Sequence, residues 1–392
     1  MTTPQTAPAH AAPVGETTAP QGPRLADLTT LRLGGPASRL VDAQTAAELV
    51  DVVRDADERG EPVLVLGGGS NLVVADDGFP GVVVRDARRE IVVDDSGACA
   101  GASIHVPAGT PWVDVVDRAV AEGWVGVEAL AGIPGSTGAT PVQNVGAYGQ
   151  EVSGVVSTVR VWDREQLRIR TLSLADLDFG YRSSVLKRSL RDDDGAPSRF
   201  APTPRFVVLE VGFQLRLGTL SAPVAYRELA DRLGVSVGER APLDEVRDAV
   251  LALRSAKGMV LDAEDPDTWS AGSFFTNPVV SAAVADQLPP GAPRYPVRTS
   301  VPERTTGPSL GTVDESLVKT SAAWLIEHAG FTRGHALPGT VGLSTKHTLA
   351  LTHRGGGTTA ELLTLAREIQ AGVHGRFGIT LEPEPVLVGA TL

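Results

Sequence analysis

The sequence has little cysteine and little positive charge. Cys99 is the one cysteine among 392 residues, which excludes an internal disulfide framework and a cysteine-based zinc site. The 35 Lys and Arg residues face 47 Asp and Glu residues, so the net charge is −12. A chain with no basic surplus is poorly suited to neutralise a phosphate backbone, and we predict that nucleic acid is not a partner.

Long apolar runs and paired metal ligands are missing as well. No stretch approaches the ~20 apolar residues of a membrane-spanning helix, and the N-terminus has no basic segment followed by an apolar one. We therefore predict no membrane span and a cytoplasmic protein. The seven histidines are scattered, with no pair at a metal-binding spacing, so no metal is predicted. Residues 1–24 have almost nothing to bury, which predicts a disordered tail.

What the sequence does contain is an α/β pattern in many short elements, punctuated by 43 glycines and 28 prolines. Thr45 and Glu48 form a capping box before a run of apolar residues at helical spacing, and Gly60 ends that helix. A short apolar strand over residues 62–66 follows directly. Further predictions are helices over 110–123, 244–257, 322–328 and after Thr358, strands over 82–84, 155–161, 209–217 and 378–389, and a charged surface insertion over 191–205.

A glycine-rich turn over residues 66–72 follows the predicted strand and reads Leu-Gly-Gly-Gly-Ser-Asn-Leu. Consecutive glycines leave backbone N–H groups free to point into one concavity, which suits a pyrophosphate. The turn is not a Rossmann fingerprint, because Leu72 stands where a third glycine would fall, and no Gly-Lys-Ser/Thr follows as in a P-loop. On these residues alone, a plain tight turn is the alternative interpretation.

A second run, over residues 131–149, holds five glycines and two prolines between polar and apolar residues. It is too irregular for a helix or a strand, and a buried loop must find partners for its backbone groups. A large bound ligand is one explanation, and a linker is the other. The interleaved Ile133, Val142, Val145 and Tyr148 disfavour a linker, since a linker has nothing to bury.

Five segments together resemble the UDP-N-acetylenolpyruvoylglucosamine reductases, a family of FAD- and NADPH-dependent enzymes of cytoplasmic peptidoglycan precursor synthesis. They are residues 66–72, 132–152, Tyr-Arg-Ser-Ser at 181–184, Ala-Gly-Ser-Phe-Phe-Thr-Asn-Pro-Val at 271–279 and Leu-Glu-Pro-Glu at 381–384. The resemblance spans roughly residues 28–389 in the family's order. It implies an α+β fold: a two-subdomain FAD-binding fold of the vanillyl-alcohol-oxidase type with an inserted α/β substrate-binding domain.

The same resemblance implies domain boundaries. The first FAD-binding subdomain is predicted over residues 25–88 and the second over 89–256. A substrate-binding domain follows over 257–377, and residues 378–392 are predicted to form a strand that returns to the second FAD-binding subdomain. We expect a monomer.

The resemblance also assigns catalytic roles. Ser273 matches the serine that protonates the substrate carbon, Arg182 the arginine near the flavin, and Glu384 the catalytic glutamate. The implied reaction is reduction of UDP-N-acetylglucosamine-enolpyruvate to UDP-N-acetylmuramate. FAD is expected to be non-covalent, because residues 67–72 contain neither His nor Cys, and NADPH is expected to bind as co-substrate in the cleft that the nucleotide sugar also uses.

The remaining assignments follow from the matched motifs. The predicted FAD contacts are Gly67, Gly68, Gly69, Ser70, Asn71, Leu72, Gly132, Ile133, Pro134, Gly135, Ser136, Thr137, Gly138, Gln143, Asn144, Gly146, Ala147 and Tyr148. The predicted substrate contacts are Tyr226, Arg254, Lys257, Asn277, Tyr295 and Lys319. Residues 296–316 form a longer insertion than the family pattern leads us to expect.

Two alternatives stay open. The same flavin fold is found in oxidases and dehydrogenases of alcohols or hydroxy acids, and a nucleotide-sugar binding module without catalysis is the third hypothesis. A yellow chromophore in the purified protein disfavours the binding module. Oxidation of NADPH that depends on the UDP-linked enol ether separates the reductase from the oxidases.

Overall fold

The computed structural model describes residues 22–97, 100–298 and 312–392. Most of the predicted N-terminal tail, the residue Cys99 and the centre of the long insertion, residues 299–311, lie outside the described residues.

The first part of the chain forms a parallel three-stranded sheet. After a 3₁₀ turn at Leu25–Leu28, its elements are β1 (Ala37–Ala43), α1 (Ala46–Arg59), β2 (Val63–Leu66), β3 (Leu72–Val74) and β4 (Phe79–Asp86). Strand β4 lies between β1 and β2 and pairs in parallel with both. One of the two bonds of the predicted capping box is present, because Thr45 accepts the N–H of Glu48, whereas the Glu48 carboxylate accepts the N–H of Gln44 and not that of Thr45. The predicted end is confirmed, since Gly60 ends α1 in the left-handed conformation.

The second part is built on a six-stranded sheet. Its elements are β5 (Val92–Gly97), β6 (Gly101–Pro107), α2 (Trp112–Ala121), β7 (Trp124–Val125), β8 (Gly146–Ala147), β9 (Gln150–Glu151), β10 (Val156–Asp163), β11 (Arg168–Ser173), α3 (Leu174–Leu177), α4 (Val185–Arg188), β12 (Phe206–Leu217), α5 (Arg227–Leu233) and α6 (Leu243–Ala256). The strand order is β11-β10-β12-β6-β5, with antiparallel pairs throughout, and β7 joins the far end of β12. Helices α2 and α6 pack over one face and bury Trp112 against Phe213.

Strand β12 connects the first two cores. Its predicted alternation holds at the C-terminal end, but its first half is buried on both faces. Val207 and Leu209 pack with Leu49 and Val53 of α1, while Val211 faces the core beneath α2 and α6. A strand covered on both sides loses the apolar-polar alternation of a half-buried one. The two parts therefore share one continuous β-strand as a wall.

The third part carries two small sheets and the longest helix of the described chain. Its elements are β13 (Val279–Ser281), α7 (Ala282–Asp286), β14 (Tyr295–Arg298), β15 (Val313–Lys319), α8 (Ala322–His328), β16 (Val341–Leu343), β17 (Leu351–His353) and α9 (Thr359–Phe377). The strand order is β13-β15-β14, and β16 and β17 form an antiparallel pair. The predicted capping box of α9 is confirmed by the reciprocal bonds of Thr358 and Glu361.

The C-terminal strand differs from the prediction in length and in destination. Strand β18 covers only Val386–Val388, because Pro383 and Pro385 lack the N–H that a strand needs. It pairs in parallel with β3, which lies within the predicted first subdomain, so its predicted return to the second subdomain is wrong. Val388 is buried in an apolar cluster with Leu25 and other residues of the first part. This burial stabilises the pairing of β18 with β3.

The segment over 191–205 also differs in part from the predicted surface insertion. Residues 192–197 are exposed, but Phe200 and Thr203 are buried. The hydroxyl of Thr203 accepts the N–H of Val65 at 2.8 Å. Arg164 donates to the carbonyls of Phe200 and Thr203 and pairs with Asp57 of α1 at 2.6 Å. The second half of the insertion is thus a buried bridge between the first two parts.

Candidate active site

A cavity of about 710 Å³ runs between the three parts of the fold. One wall is made by the two glycine-rich loops, and another by residues 202–208. The far end is closed by Ala271, Gly272, Ser273 and Glu384 of the third part. The predicted ligand loops, which are distant in the sequence, therefore face one space.

The two glycine-rich loops pack closely against each other, with glycine backbone and two serine side chains at the contact. A Cβ atom added at Gly68 would lie 2.5 Å from the Cα of Gly135, and one added at Gly67 would lie 2.6 Å from Ser136 Oγ. Gly69 adopts a positive φ of 63°, which favours glycine. The hydroxyl of Ser70 donates to the carbonyl of Pro134 at 3.0 Å. At these glycines the backbone is unshielded and can contact a ligand. A larger residue at position 67 or 68 would clash with the other loop.

Most of the predicted FAD contacts line this cavity, and the others support the loop. The lining residues are Gly67, Gly68, Gly69, Ser70, Asn71, Leu72, Ile133, Pro134, Gly135, Ser136, Gly138, Gln143 and Gly146. Gly132, Thr137, Asn144, Ala147 and Tyr148 are not among them. Thr137 donates to the Thr110 carbonyl at 2.8 Å, and Asn144 donates to Glu151 at 2.8 Å. Both side chains hold the backbone of the loop in place.

The three predicted catalytic residues meet at one end of the cavity. Arg182 adopts a positive φ of 52° and donates through Nη2 to the Gly146 carbonyl at 3.0 Å. Its Nε lies 3.1 Å from Glu384 Oε1, but the N–H is not aligned for a hydrogen bond and is left buried without one. The contact is therefore an ion pair, and one donor of the guanidinium remains unused.

Burial raises the pKa of Glu384, while the positive charges of Arg182 and Lys187 oppose that rise. A carboxyl that acts in its protonated form needs a pKa shifted in this direction. Gln143 Nε2 donates to Glu384 Oε1 at 3.3 Å. The pKa of this carboxyl is therefore set by two opposing effects, burial on one side and the charges of Arg182 and Lys187 on the other.

Two paired segments place Ser273 beside Glu384. The N–H of Glu384 donates to the Phe274 carbonyl at 2.9 Å, and Thr276 donates to the Glu382 carbonyl at 3.0 Å. Phe274 is fully buried and anchors the segment just after Ser273. The serine itself is half-buried and lines the cavity. Short backbone pairing, rather than sequence proximity, brings the hydroxyl and the carboxyl together.

Of the predicted substrate contacts, Arg254 is the one that lines the cavity. Burial lowers its pKa to about 10. Its Nη2 donates to the Met259 carbonyl at 2.8 Å, and its Nε is buried with no partner. A buried guanidinium with an unused N–H is suited to an anionic ligand group.

The other predicted substrate contacts lie beside the cavity in two groups. Tyr226 packs edge-on against Tyr148 at 5.8 Å, and Lys257 lies 5.7 Å from the Tyr148 ring while pairing with Glu228 at 2.6 Å. This group flanks the loop of residues 131–149. Because Tyr226 is exposed, the group is open to a ligand from solvent.

The second group lies on the third part of the fold. Lys319 Nζ lies 4.4 Å from the Tyr181 ring centre, next to Arg182, and Lys319 pairs with Tyr295 across β14 and β15. Asn277 Oδ1 accepts the Ala322 N–H at 2.9 Å and so caps the start of α8. Lys319 and Tyr295 are thus placed near the catalytic end, whereas the Asn277 oxygen is already used.

Sequence reasoning missed several residues of the site. Lys187 lines the cavity close to Glu384, and its one signal was its place five residues after Arg182 in a short helix capped by Ser184. Asp86, Arg88 and residues 202–204 and 206–208 also line the cavity. They belong to segments with no motif of their own, so only the folded chain brings them there.

The cavity fits a flavin dinucleotide. Its volume lies within the roughly 300–1,000 Å³ of ligand pockets, and its glycine loops leave unshielded backbone for a diphosphate. Neither His nor Cys occurs among the described residues that line it. Across the described ranges, no cluster of three or more His, Cys, Asp or Glu residues is placed to hold a metal ion. Within those ranges, no helix has the length and apolar character needed to cross a membrane.

Comparisons with known proteins point to one family. A family model for the C-terminal domain of UDP-N-acetylenolpyruvoylglucosamine reductase matches residues 264–388, and an FAD binding domain model matches residues 37–167. The enzyme of that name from Thermobifida fusca is 53% identical over 371 residues, which are 94% of this chain and 97% of that protein. The one from Cutibacterium acnes is 49% identical, with 98% and 94% covered.

A solved structure agrees at the level of the fold. The crystal structure of UDP-N-acetylenolpyruvylglucosamine reductase from Thermus caldophilus aligns with a TM-score of 0.56 and 24% identity. The alignment covers 93% of this chain and 97% of that one. The order of the described elements is therefore shared along nearly the whole chain.

Proposed function

The chain belongs to the UDP-N-acetylenolpyruvoylglucosamine reductase family, and we propose that the cavity between its three parts is the active site. The protein is an FAD-dependent oxidoreductase with NADPH as co-substrate. It reduces the enolpyruvyl group of UDP-N-acetylglucosamine-enolpyruvate to give UDP-N-acetylmuramate in peptidoglycan precursor synthesis. The predicted function, the cofactor and the α+β fold with an FAD-binding domain are confirmed by this membership.

The observation that carries the proposed site is the convergence of Arg182, Ser273 and Glu384 at one end of the cavity. They come from three distant segments, and each is the residue that the family motif assigned. The other walls are the glycine-rich loops, so a redox cofactor held by backbone and a set of charged and polar side chains share one space.

We assign FAD binding to residues 67–72 and to the lining residues of the loop at 131–149. FAD held by these residues would supply the redox chemistry that couples oxidation of NADPH to reduction of the alkene of the nucleotide sugar. The protein holds the cofactor and the substrate next to each other. Gly68 and Gly135 lie so close together that a larger residue at position 68 would not fit. Arg254, Lys257, Tyr226, Tyr295 and Lys319 are the proposed contacts to the anionic substrate.

Arg182 stabilises the charge that develops on the substrate. Addition of hydride at the terminal enolpyruvyl carbon places negative charge on the adjacent carbon and its carboxylate. A guanidinium stays protonated, and the buried Nε–H of Arg182 is not used inside the protein. A donor fixed before the charge appears needs no reorganisation when it does.

Ser273 completes the reaction by protonating that carbon. A hydroxyl is a weak acid, but the enolate-like carbon is strongly basic, so position matters more than the pKa of the serine. The buried Phe274 and the backbone pairing to residues 382–384 hold Ser273 in place. Glu384, whose pKa burial raises, donates a hydrogen bond to the developing enol in its protonated form.

We further propose that NADPH and the nucleotide sugar use the cleft in turn, that the protein is a monomer, and that it works in the cytoplasm, where the family's pathway makes its precursors. The presence of Arg182, Ser273 and Glu384 in the same cavity as the glycine-rich loops supports alternation of the two substrates. Ping-pong kinetics follow from this order of binding, with parallel double-reciprocal lines for the two substrates.

The test is NADPH oxidation by the purified, yellow holoenzyme. The proposal predicts steady turnover with the UDP-linked enol ether and none with lactate or sugar alcohols. Turnover with an alcohol in the absence of the enolpyruvyl sugar would instead identify an oxidase or dehydrogenase of the same fold.

The cofactor assignment has its own test in Gly68→Ala. The added methyl would meet Gly135 at 2.5 Å, and such overpacking costs about 1–3 kcal/mol and narrows the loop junction. We expect a lower FAD content per chain, measured from the flavin absorbance. Gly154→Ala is the matched control, because nothing lies within 4 Å of its Cβ position, and it should retain a full complement of FAD.

A further inference from the structure

Lys187 is a cationic side chain at the catalytic end to which the reaction described above gives no role. It lies on α4 and lines the cavity, and burial lowers its pKa. The charged groups that face it are Glu384, Arg182 and Glu382. A lysine drawn out of water beside a functional carboxyl is a candidate for controlling that carboxyl.

The link between the lysine and the carboxyl is the amide of Gln143. Lys187 Nζ donates to Gln143 Oε1 at 3.4 Å, and Asn71 Nδ2 donates to the same oxygen at 2.9 Å. The amide nitrogen of Gln143 then donates to Glu384 Oε1 at 3.3 Å. Turning the amide over would place its NH₂ group against two other donors, so the lysine and the asparagine fix which end of the amide faces Glu384.

The backbone sets the spacing of this chain of contacts. The buried hydroxyl of Ser184 accepts the N–H of Lys187 at 3.2 Å and donates to the Val142 carbonyl at 2.5 Å. One hydroxyl therefore joins the residue before Gln143 to the start of the helix that carries the lysine. The backbone therefore holds the Lys187 ammonium next to the Gln143 amide without a bound ligand.

We propose that Lys187 is a positioning residue of the reductase: its ammonium fixes the Gln143 amide against Glu384, and its charge favours the ionised form of that carboxyl. This inference rests on the proposed function of the site. Burial favours the neutral carboxyl, whereas Arg182 and Lys187, the two cations that face it, favour the anion. Removing Lys187 leaves Arg182 alone against burial, so Glu384 keeps its proton to higher pH.

The experiment is a pH titration of Glu384 in the FAD-loaded protein without substrate. Infrared difference spectra follow the C=O band of the protonated carboxyl, and the band is identified by its loss in Glu384→Gln. In Lys187→Met the midpoint should move to higher pH, and Lys187→Arg should return it toward the wild-type value. The pH limb of kcat that reports loss of the Glu384 proton should move in the same direction.

Arg188→Met is the matched control. Arg188 lies on the same short helix, is exposed and pairs with Asp178 at 2.6 Å, so its loss perturbs the helix without touching the cavity. Its titration midpoint should equal that of the wild type. If Lys187→Met does not fold, Lys187→Gln is titrated in the same way.

An unchanged midpoint in Lys187→Met or Lys187→Gln overturns the inference, even if turnover falls. That result would make the lysine a ligand contact or a structural residue. Failure of the proposed function looks different, because the wild type would then not oxidise NADPH in the presence of the enolpyruvyl sugar. The infrared titration needs no substrate and separates the two failures.

Discussion

Asp163 and Glu384 are both carboxyls removed from solvent, yet their surroundings differ in one respect. Asp163, at the end of β10, accepts five hydrogen bonds, and its side chain is 0% exposed. Burial alone would raise its pKa, but hydrogen bonds from Arg205 and Arg170 outweigh that and lower it to about 2. Glu384 has one hydrogen bond and one ion pair, both at Oε1, and burial raises its pKa.

The difference shows that burial does not by itself mark a functional acid. A buried carboxylate that is fully hydrogen-bonded is locked in its charged form and serves the fold. One that is buried with incomplete bonding keeps its proton to higher pH than an exposed carboxyl and has an oxygen free for a ligand. In the described residues, both side-chain contacts of Glu384 are made by Oε1, and Glu384 lines the cavity together with Ser273.

The sharpest way to extend the comparison is to remove the hydroxyl that shares the cavity with Glu384. Ser273→Ala should lower steady-state turnover by about 10²–10⁴-fold, the usual contribution of a general acid. Reduction of the flavin by NADPH should stay at the wild-type rate in stopped-flow traces, since that half-reaction needs no proton from the serine. A steady-state rate equal to that of the wild type would show that another group is the proton donor.

The second prediction concerns the carboxyl that serves the fold. Asp163→Asn removes the counter-charge of Arg205 and Arg170 and should lower the free energy of unfolding by about 3 kcal/mol. The value of kcat per FAD-loaded chain should not change. Asp114→Asn, which breaks the more exposed pair with Arg89, is the control and should cost less than about 1 kcal/mol in the same urea titration. Equal losses in the two variants would contradict the contrast.

Glu384→Gln should show the opposite pattern. The amide keeps the volume and an acceptor for Gln143, but its N–H is a weaker hydrogen-bond donor than a carboxylic O–H toward the developing enol, so we expect turnover to fall by about 10²-fold. The free energy of unfolding should be equal to or above that of the wild type, because a buried charge with few partners contributes little stability. A large loss of stability with normal turnover would place Glu384 in the same class as Asp163.

The smallest effect is on the pH dependence of stability. The pKa of Asp163 in the folded protein, about 2, lies below the ordinary value of 3.8, so its ionised form stabilises the fold. That contribution is complete above about pH 4 and disappears as the pH falls toward 2, a loss of about 2 kcal/mol. Urea titrations at about pH 5 and pH 2.5 should show the wild type approaching Asp163→Asn at the lower pH. A constant difference between the two proteins would contradict the assignment.

Local patterns in the sequence predicted the local structure of the chain well. The N-cap bond of Thr45 and the capping box of Thr358 set the starts of α1 and α9, because each depends on a side chain and a backbone N–H only a few residues apart. The glycine-rich loops could be singled out for the same reason. Alternation predicted β12 only at its C-terminal end, since the other half is covered on both faces by segments distant in the sequence.

The features that sequence reasoning missed depend on contacts between distant segments. Strand β18 pairs with β3, and no local property of Val386–Val388 specifies that edge. Thr203 was predicted to lie in a surface insertion, but in the structure its hydroxyl accepts the N–H of Val65. Lys187 belongs to none of the sequence motifs, and only the folded chain places it beside Gln143. The catalytic roles were inferred from the resemblance to a family. The structure shows in addition that the three residues line one cavity.

The most direct test of the account is anaerobic reoxidation of the reduced holoenzyme by UDP-N-acetylglucosamine-enolpyruvate. The account predicts that the oxidised flavin spectrum returns with one equivalent of the nucleotide sugar and that UDP-N-acetylmuramate forms in the same amount. A flavin that stays reduced under these conditions, while oxygen or an unrelated acceptor reoxidises it, would contradict the claim that this cavity reduces the enolpyruvyl group.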